Sequence, residues 1–207
     1  MKPISRSDPK AIRSRGITVL KPGHREIRKL RKDATPAIHG DKVWNSSWLL
    51  MDELRRRGLP KKARLMDIGC GWGPLSIYAA KRLGVRVTAV DADREVFPFL
   101  ALHAEINQVS IDTLACRFEK LKKKQLQPFH TLAGADICFW DELTPVLYAL
   151  IRRALKAGVK QIIIADPGRD PFYQLAEKCA GKFNARIVER RTSTPKRTHA
   201  DLLIIDG

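Results

Sequence analysis

The 207-residue sequence has no run of eighteen uncharged apolar residues, so no helix in it is expected to cross a membrane. Its first eight residues alternate basic and polar side chains without an apolar stretch, and no secretory signal is expected. Cysteine is scarce: Cys70, Cys116, Cys138 and Cys179 lie far apart, without metal-ligand spacing. They read as reduced, buried thiols of a cytoplasmic protein. The five histidines form no metal-spaced cluster either, so no metal is expected. Internal repeats and low-complexity tracts are absent.

Acidic residues are the scarce sign, 22 against 39 Lys and Arg, for a net charge of +17. Residues 1–64 hold 18 basic and six acidic side chains, whereas 65–207 hold 21 and 16. Residues 1–43 also contain no Phe, Tyr or Trp. A basic extension of this kind attracts RNA, acidic protein or anionic surfaces, or merely keeps the chain soluble. Without aromatics it offers no stacking platform of its own. Its few apolar residues, Ile17, Val19 and Leu20 among them, suggest a short extended segment with little to bury, and deletion of 1–40 is expected to leave the rest folded.

The composition is otherwise that of one globular domain, 44% hydrophobic and 29% charged. The division expected is a basic extension over 1–43 and a single domain over 44–207. Ser46 or Ser47 opens a helix that Gly58 stops. From residue 63 strands alternate with helices. Strands are expected at 64–68, 85–90, 111–116, 136–140, 161–165, 186–189 and 202–205, with helices at 74–83, 94–106, from 143, and at 171–179. Strands apolar on both faces call for a parallel sheet covered on both sides. The last two strands lack a helix between them, which suits an antiparallel pair. The fold expected is α/β: a Rossmann-like, doubly wound, seven-stranded sheet, mostly parallel, with one reversed strand near its C-terminal edge.

The strongest local signal is Asp67-Ile68-Gly69-Cys70-Gly71-Trp72-Gly73, between a strand and a helix. The dinucleotide fingerprint would place its third glycine at 74, where Pro74 stands, and no Gly-Lys-Ser/Thr follows to make a phosphate loop. An acid at the strand end disfavours pyrophosphate and suits a ligand bearing a cationic amine. Asp91, at the end of the next strand and followed by Ala92, stands where an acid takes ribose hydroxyls in sheets of this kind.

These residues resemble the first motif and second-strand acid of class I S-adenosylmethionine-dependent methyltransferases, over roughly residues 44–207. The resemblance implies S-adenosylmethionine as cofactor, held by Asp67, Gly69, Gly71, Gly73, Asp91 and Ala92. Val43-Trp44 to Trp48, the Asp141 segment and Asp166-Pro167-Gly168-Arg169 are further similar to seven-strand protein lysine methyltransferases of the electron-transfer-flavoprotein β-subunit type. That similarity places Trp44 in the cofactor pocket, with Trp48 in the core.

On the reacting side, Asp141 follows the expected fourth strand and would orient an amine nucleophile; alternatively it caps the helix beginning at 143. The sequence there is not Asn-Pro-Pro-Tyr/Phe, which disfavours amide and adenine amino groups as acceptors, and no Pro-Cys dipeptide serves cytosine-C5 chemistry. Asp166 and Arg169 end the fifth strand on the same side, either facing substrate or pairing with each other in a turn. The acceptor expected is a protein lysine, with RNA or a non-catalytic cofactor-binding role as the alternatives. Oligomeric state is left open.

Overall fold

A computed structural model describes residues 4–40 and 42–207. It begins with an antiparallel hairpin of β1 (Ala11–Ser14) and β2 (Ile17–Leu20), then a short helix α1 (Arg25–Leu30). Helix α2 (Ser46–Arg57) leads into the main sheet: β3 (Arg64–Ile68), α3 (Pro74–Tyr78), β4 (Arg86–Asp91), α4 (Phe97–Asn107), β5 (Asp112–Ala115), α5 (Lys123–Leu126), β6 (Thr131–Ala135), α6 (Leu143–Ala157), β7 (Gln161–Asp166), α7 (Asp170–Ala180), β8 (Ala185–Thr192) and β9 (Thr198–Asp206). A π-helical turn, Ala79–Leu83, extends α3 up to Gly84.

The sheet has seven strands, as expected, in the order β5-β4-β3-β6-β7-β9-β8. β3 to β7 pair in parallel, and β9 runs antiparallel to both β7 and β8. Parallel strands need crossovers, and the helices supplying them cover both faces and bury β7 along its whole length. Strand order reverses between β3 and β6, which opens a crevice beyond their carboxyl ends.

The fourth strand of the large sheet departs from expectation. It occupies Thr131–Ala135, while 136–140, expected to be the strand, is the loop that follows it. Leu-Ala-Gly-Ala reads as weak strand former, yet bulk is excluded there: a Cβ on Gly134 would lie 2.8 Å from Ile137 Cδ1 and 2.9 Å from the Ile68 carbonyl oxygen. Ile137 and Cys138 are buried as loop residues over the sheet end. Packing thus overrides propensity.

Residues 4–34 also differ from the extension with little to bury. Ile17 and Val19 pack into the cluster containing Trp48, Leu49 and Leu75, and Leu20, Ile27 and Ala34 pack with Trp72 and Phe99. Thr18 and Asn107 exchange two hydrogen bonds, 2.9 and 2.7 Å, and the Leu20 N–H donates to His103 Nε2 at 2.9 Å. The apolar residues are few, but they are spaced to face α3 and α4. Cys116 is likewise only half-buried, whereas the other three thiols are buried and all four are free.

The His103 contact sets a pH dependence. An imidazolium cannot accept a hydrogen bond, and burial pushes the His103 pKa down from 6.5 to about 4. The unfolded chain therefore takes up the proton first, so this stability is complete above about pH 6.5 and is lost as pH falls towards 4. At most about 3 kcal/mol is at stake. Urea midpoints should fall more steeply between pH 6.5 and 4 in the natural protein than in His103→Gln, whose amide oxygen still accepts from Leu20; parallel slopes would remove His103 from the account.

Candidate functional site

The crevice at the carboxyl ends of β3, β4 and β6 holds a cavity whose floor is the loop after β3. Gly69 and Gly71 line it, at φ +66° and +51°. At Gly69 a Cβ would lie 2.5 Å from Ile137 Cγ2, so the loop packs there too closely for any side chain. At Gly71 a Cβ would meet nothing within 4 Å, leaving the backbone open to a ligand. Gly73 lies outside the lining, as N-cap of α3, packed on Leu100.

Asp67 does not reach the cavity lining. Its buried carboxylate accepts from the Ser76 N–H (3.1 Å) and Ser76 Oγ (2.6 Å), anchoring the first turns of α3 to the end of β3. Burial raises its pKa to about 7. Its geometry holds the loop, rather than meeting a ligand's amine.

Asp91 and Ala92 do line the cavity. The Asp91 carboxylate accepts from the Gly71 N–H through one oxygen and the Asp93 N–H through the other, each at 3.0 Å. Each oxygen keeps a lone pair, sufficient for two vicinal hydroxyls. Burial raises the Asp91 pKa, partly offset by these amides. Asp93 caps the following turn through the Glu95 N–H, so capping and ligand holding fall to different acids.

The opposite wall is aromatic. Trp44 lines it, its Nε1–H donating to the His39 carbonyl at 2.9 Å. His39 stacks on Phe139, with ring centroids 4.3 Å apart, and lies 5.3 Å from Trp140. Phe139 and Trp140 belong to the loop after β6, and Trp140 is 44% exposed at the mouth. Trp48 is buried, as expected, beneath the guanidinium of Arg15.

Asp136 is the acid that β6 delivers into this wall. It sits at φ +57°, a conformation Asp tolerates, and its N–H donates to the Ala165 carbonyl at 2.8 Å. Its Oδ2 accepts from the Ser46 N–H at 3.2 Å, placing a carboxylate at the start of α2, where the helix dipole favours it. Arg169 approaches Oδ1 at 3.4 Å and pairs with the buried Asp166 at 2.7 Å. Burial raises the Asp136 pKa, opposed by Ser46 and Arg169.

Asp166 and Arg169 meet the second of the two expectations, pairing with each other in the turn after β7, and neither lines the cavity. The guanidinium lies 4.3 Å from the Phe139 ring centre and 5.8 Å from that of Trp44, directly behind the cavity wall. Asp141 stands apart. It is exposed, absent from the lining, and accepts from Gln174 Nε2 at 3.1 Å. The strand ends at 135, so the position expected of Asp141 belongs to Asp136. An acid-x-x-aromatic pattern, Asp136 to Phe139, is the signal that an earlier strand end would have exposed; nothing in the sequence marks His39. Among the described residues no cluster of three or more His, Cys, Asp or Glu could hold a metal, and no helix is long and apolar enough to cross a membrane.

Residues 65–158 match the family model described as a methyltransferase domain. The chain is 27% identical over 139 residues to the electron transfer flavoprotein beta subunit lysine methyltransferase of Xenopus laevis, covering 65% of this chain and 56% of that protein. It is 32% identical over 133 residues to the ubiquinone biosynthesis O-methyltransferase of Xanthomonas oryzae, covering 63% and 54%. The chain thus spans about half the length of these curated relatives. An rRNA methylase from Streptococcus thermophilus shares the fold at 12% identity, with a TM-score of 0.59 over 79% of this chain and 97% of that one.

Proposed function

We propose that this chain is a class I, Rossmann-like S-adenosylmethionine-dependent methyltransferase and that it methylates an amine nitrogen, the side chain of a protein lysine. The observation that carries this reading is Asp136, a carboxylate set among aromatic faces at the cavity wall. Asp136, Asp166 and Arg169 together leave one negative charge when both acids are ionised, which suits an arriving ammonium.

The residues present fit the cofactor. Gly71 leaves open space where a side chain would stand, and Asp91 offers two oxygens at the strand end. Gly69, Gly71, Asp91 and Ala92 would hold the nucleoside, and Trp44 would close over the amino-acid end. Bound S-adenosylmethionine supplies a sulfonium methyl group for in-line displacement. The chain's own task is alignment and proton handling. A lysine must lose a proton before it attacks, and Asp136, its pKa raised by burial, is placed to take it. Arg169 keeps that carboxylate facing the cavity, and Trp44 and Phe139 present the faces on which an amine is retained.

The test pairs binding with transfer. S-adenosylmethionine should bind in calorimetry, and Asp91→Ala should weaken it about ten- to a hundredfold through lost charged hydrogen bonds. With methyl-labelled cofactor and fractionated cell extract, label should enter protein and be recovered as methyl-lysine. Label in RNA or a small molecule would overturn the lysine reading. Binding without transfer to any fraction would make this a non-catalytic binding protein. Unchanged affinity in Asp91→Ala would sink the cofactor assignment itself.

A further inference from the structure

Two basic stretches of this chain run into the lining of the cavity. In the first, α1 and the residues after it present Arg28, Lys29 and Lys32, exposed and without an ion pair to any described residue. The chain then runs directly into Ile38, His39 and Gly40, which line the cavity, and on to Lys42, whose Nζ lies 4.2 Å from the Trp44 ring centre. Arg117 lines the cavity and opens the second basic stretch, carrying Lys120, Lys122, Lys123 and Lys124. These four lysines are also exposed and form no ion pair with a described residue.

This second stretch is held rigidly. Leu121 and Leu126 are buried in the core with Phe118 packed against them, and Arg153 donates to the Phe118 and Leu121 carbonyls at 2.7 and 3.1 Å. Apolar residues point inward, which leaves the lysines displayed outward on a fixed backbone. Acids at the rim are largely committed: Asp93 and Glu95 accept from the backbone N–H groups of Ala37 and Thr35, and Glu119 pairs with Arg117. Asp33, Asp141 and Glu142 remain, Asp141 accepting only from the Gln174 amide.

The cavity lining that both stretches reach also carries the exposed Trp140, its ring centre 5.3 Å from that of His39. Residues 1–43 lack aromatics, but the fold supplies the platform from the loop after β6. We infer that this face binds single-stranded RNA, with phosphates on the two lysine- and arginine-bearing stretches and unstacked bases on the Trp140 and His39 rings. An acidic protein would use the cations alone and has no need of an exposed indole. The inference goes beyond the methyl acceptor: RNA binding on this face does not require that RNA be the methylated substrate.

The test is fluorescence anisotropy with an unstructured 20-nucleotide RNA and, separately, a poly-glutamate of matched charge, using the full chain. RNA should bind at low salt, and its affinity should fall about a hundredfold between 50 and 200 mM salt if roughly five phosphates are neutralised. The triple variants Lys122→Glu/Lys123→Glu/Lys124→Glu and Arg28→Glu/Lys29→Glu/Lys32→Glu should each lose at least tenfold in RNA affinity. Both should keep natural affinity for S-adenosylmethionine, which reports that the fold and the cofactor site are intact. Trp140→Ala should lose severalfold at constant salt dependence. Poly-glutamate binding as tightly as RNA would replace RNA with an acidic protein partner, and Trp140→Ala binding RNA unchanged would overturn the stacking of bases on this face. Equal RNA affinity in both charge variants and the natural protein would overturn the surface altogether.

Discussion

Asp136→Asn is expected to lower methyl transfer about a thousandfold while leaving S-adenosylmethionine affinity within a few-fold of the natural protein. The amide keeps the shape of the side chain and still accepts from the Ser46 N–H, so α2 and the cavity wall stay in place. What it removes is the proton acceptor and the charge facing the amine, and positioned acid–base groups contribute factors of this size. Asp141→Ala is the matched comparison. Its carboxylate meets Gln174 in solvent, outside the lining, and its loss should change transfer by less than a few-fold. A shift of the pH–rate profile in Asp136→Asn but not in Asp141→Ala, measured at saturating cofactor, would place the proton at Asp136. The reverse pattern would return the role to Asp141 and mean that the loop after β6 rearranges when substrate binds.

A chain lacking residues 1–22 is expected to lose its cooperative fold or precipitate. Ile17, Val19 and Leu20 are almost completely buried, and removing them uncovers Trp48, Trp72 and Phe99 as well as the His103 and Asn107 partners. Each buried aliphatic side chain contributes roughly 1.5–3 kcal/mol. Three of them approach the whole stability of an ordinary domain, about 5–15 kcal/mol. Leu20→Asp is the milder version, placing a carboxylate in a fully buried site, and should lower the melting temperature by about 10 °C or more. A truncated chain that melts cooperatively within a few degrees of the full one, and still binds S-adenosylmethionine, would show the hairpin to be an appendage, as the sequence first suggests.

Gly69, Gly71 and Asp91 were legible as lining because their signal is local: glycines between a strand and a helix, and an acid closing the next strand. Alternating apolar runs were enough for the sheet and its reversed strand, since strands buried on both faces admit few other arrangements. Of the wall opposite, Trp44 was legible through the resemblance, whereas the part built by the loop after β6 was not. Thr131 to Ala135 has small side chains because Ile68 and Ile137 leave no room for larger ones, and that crowding comes from residues distant in the chain. With the strand misplaced by five residues, Asp141 took the position that Asp136 occupies.

The sequence by itself determined the fold class, the glycine floor, the acid that closes the next strand and the excess of positive charge. Each depends on spacing along the chain or on a count. Tertiary structure alone decided that residues 17–34 belong to the core and that Asp67 supports the loop from beneath it. It alone also joined Asp136 to Arg169 across 33 residues and brought the rings of His39 and Trp140 to 5.3 Å at the cavity mouth. Those relations are contacts between segments far apart in the chain, and packing geometry, not local pattern, brings them together.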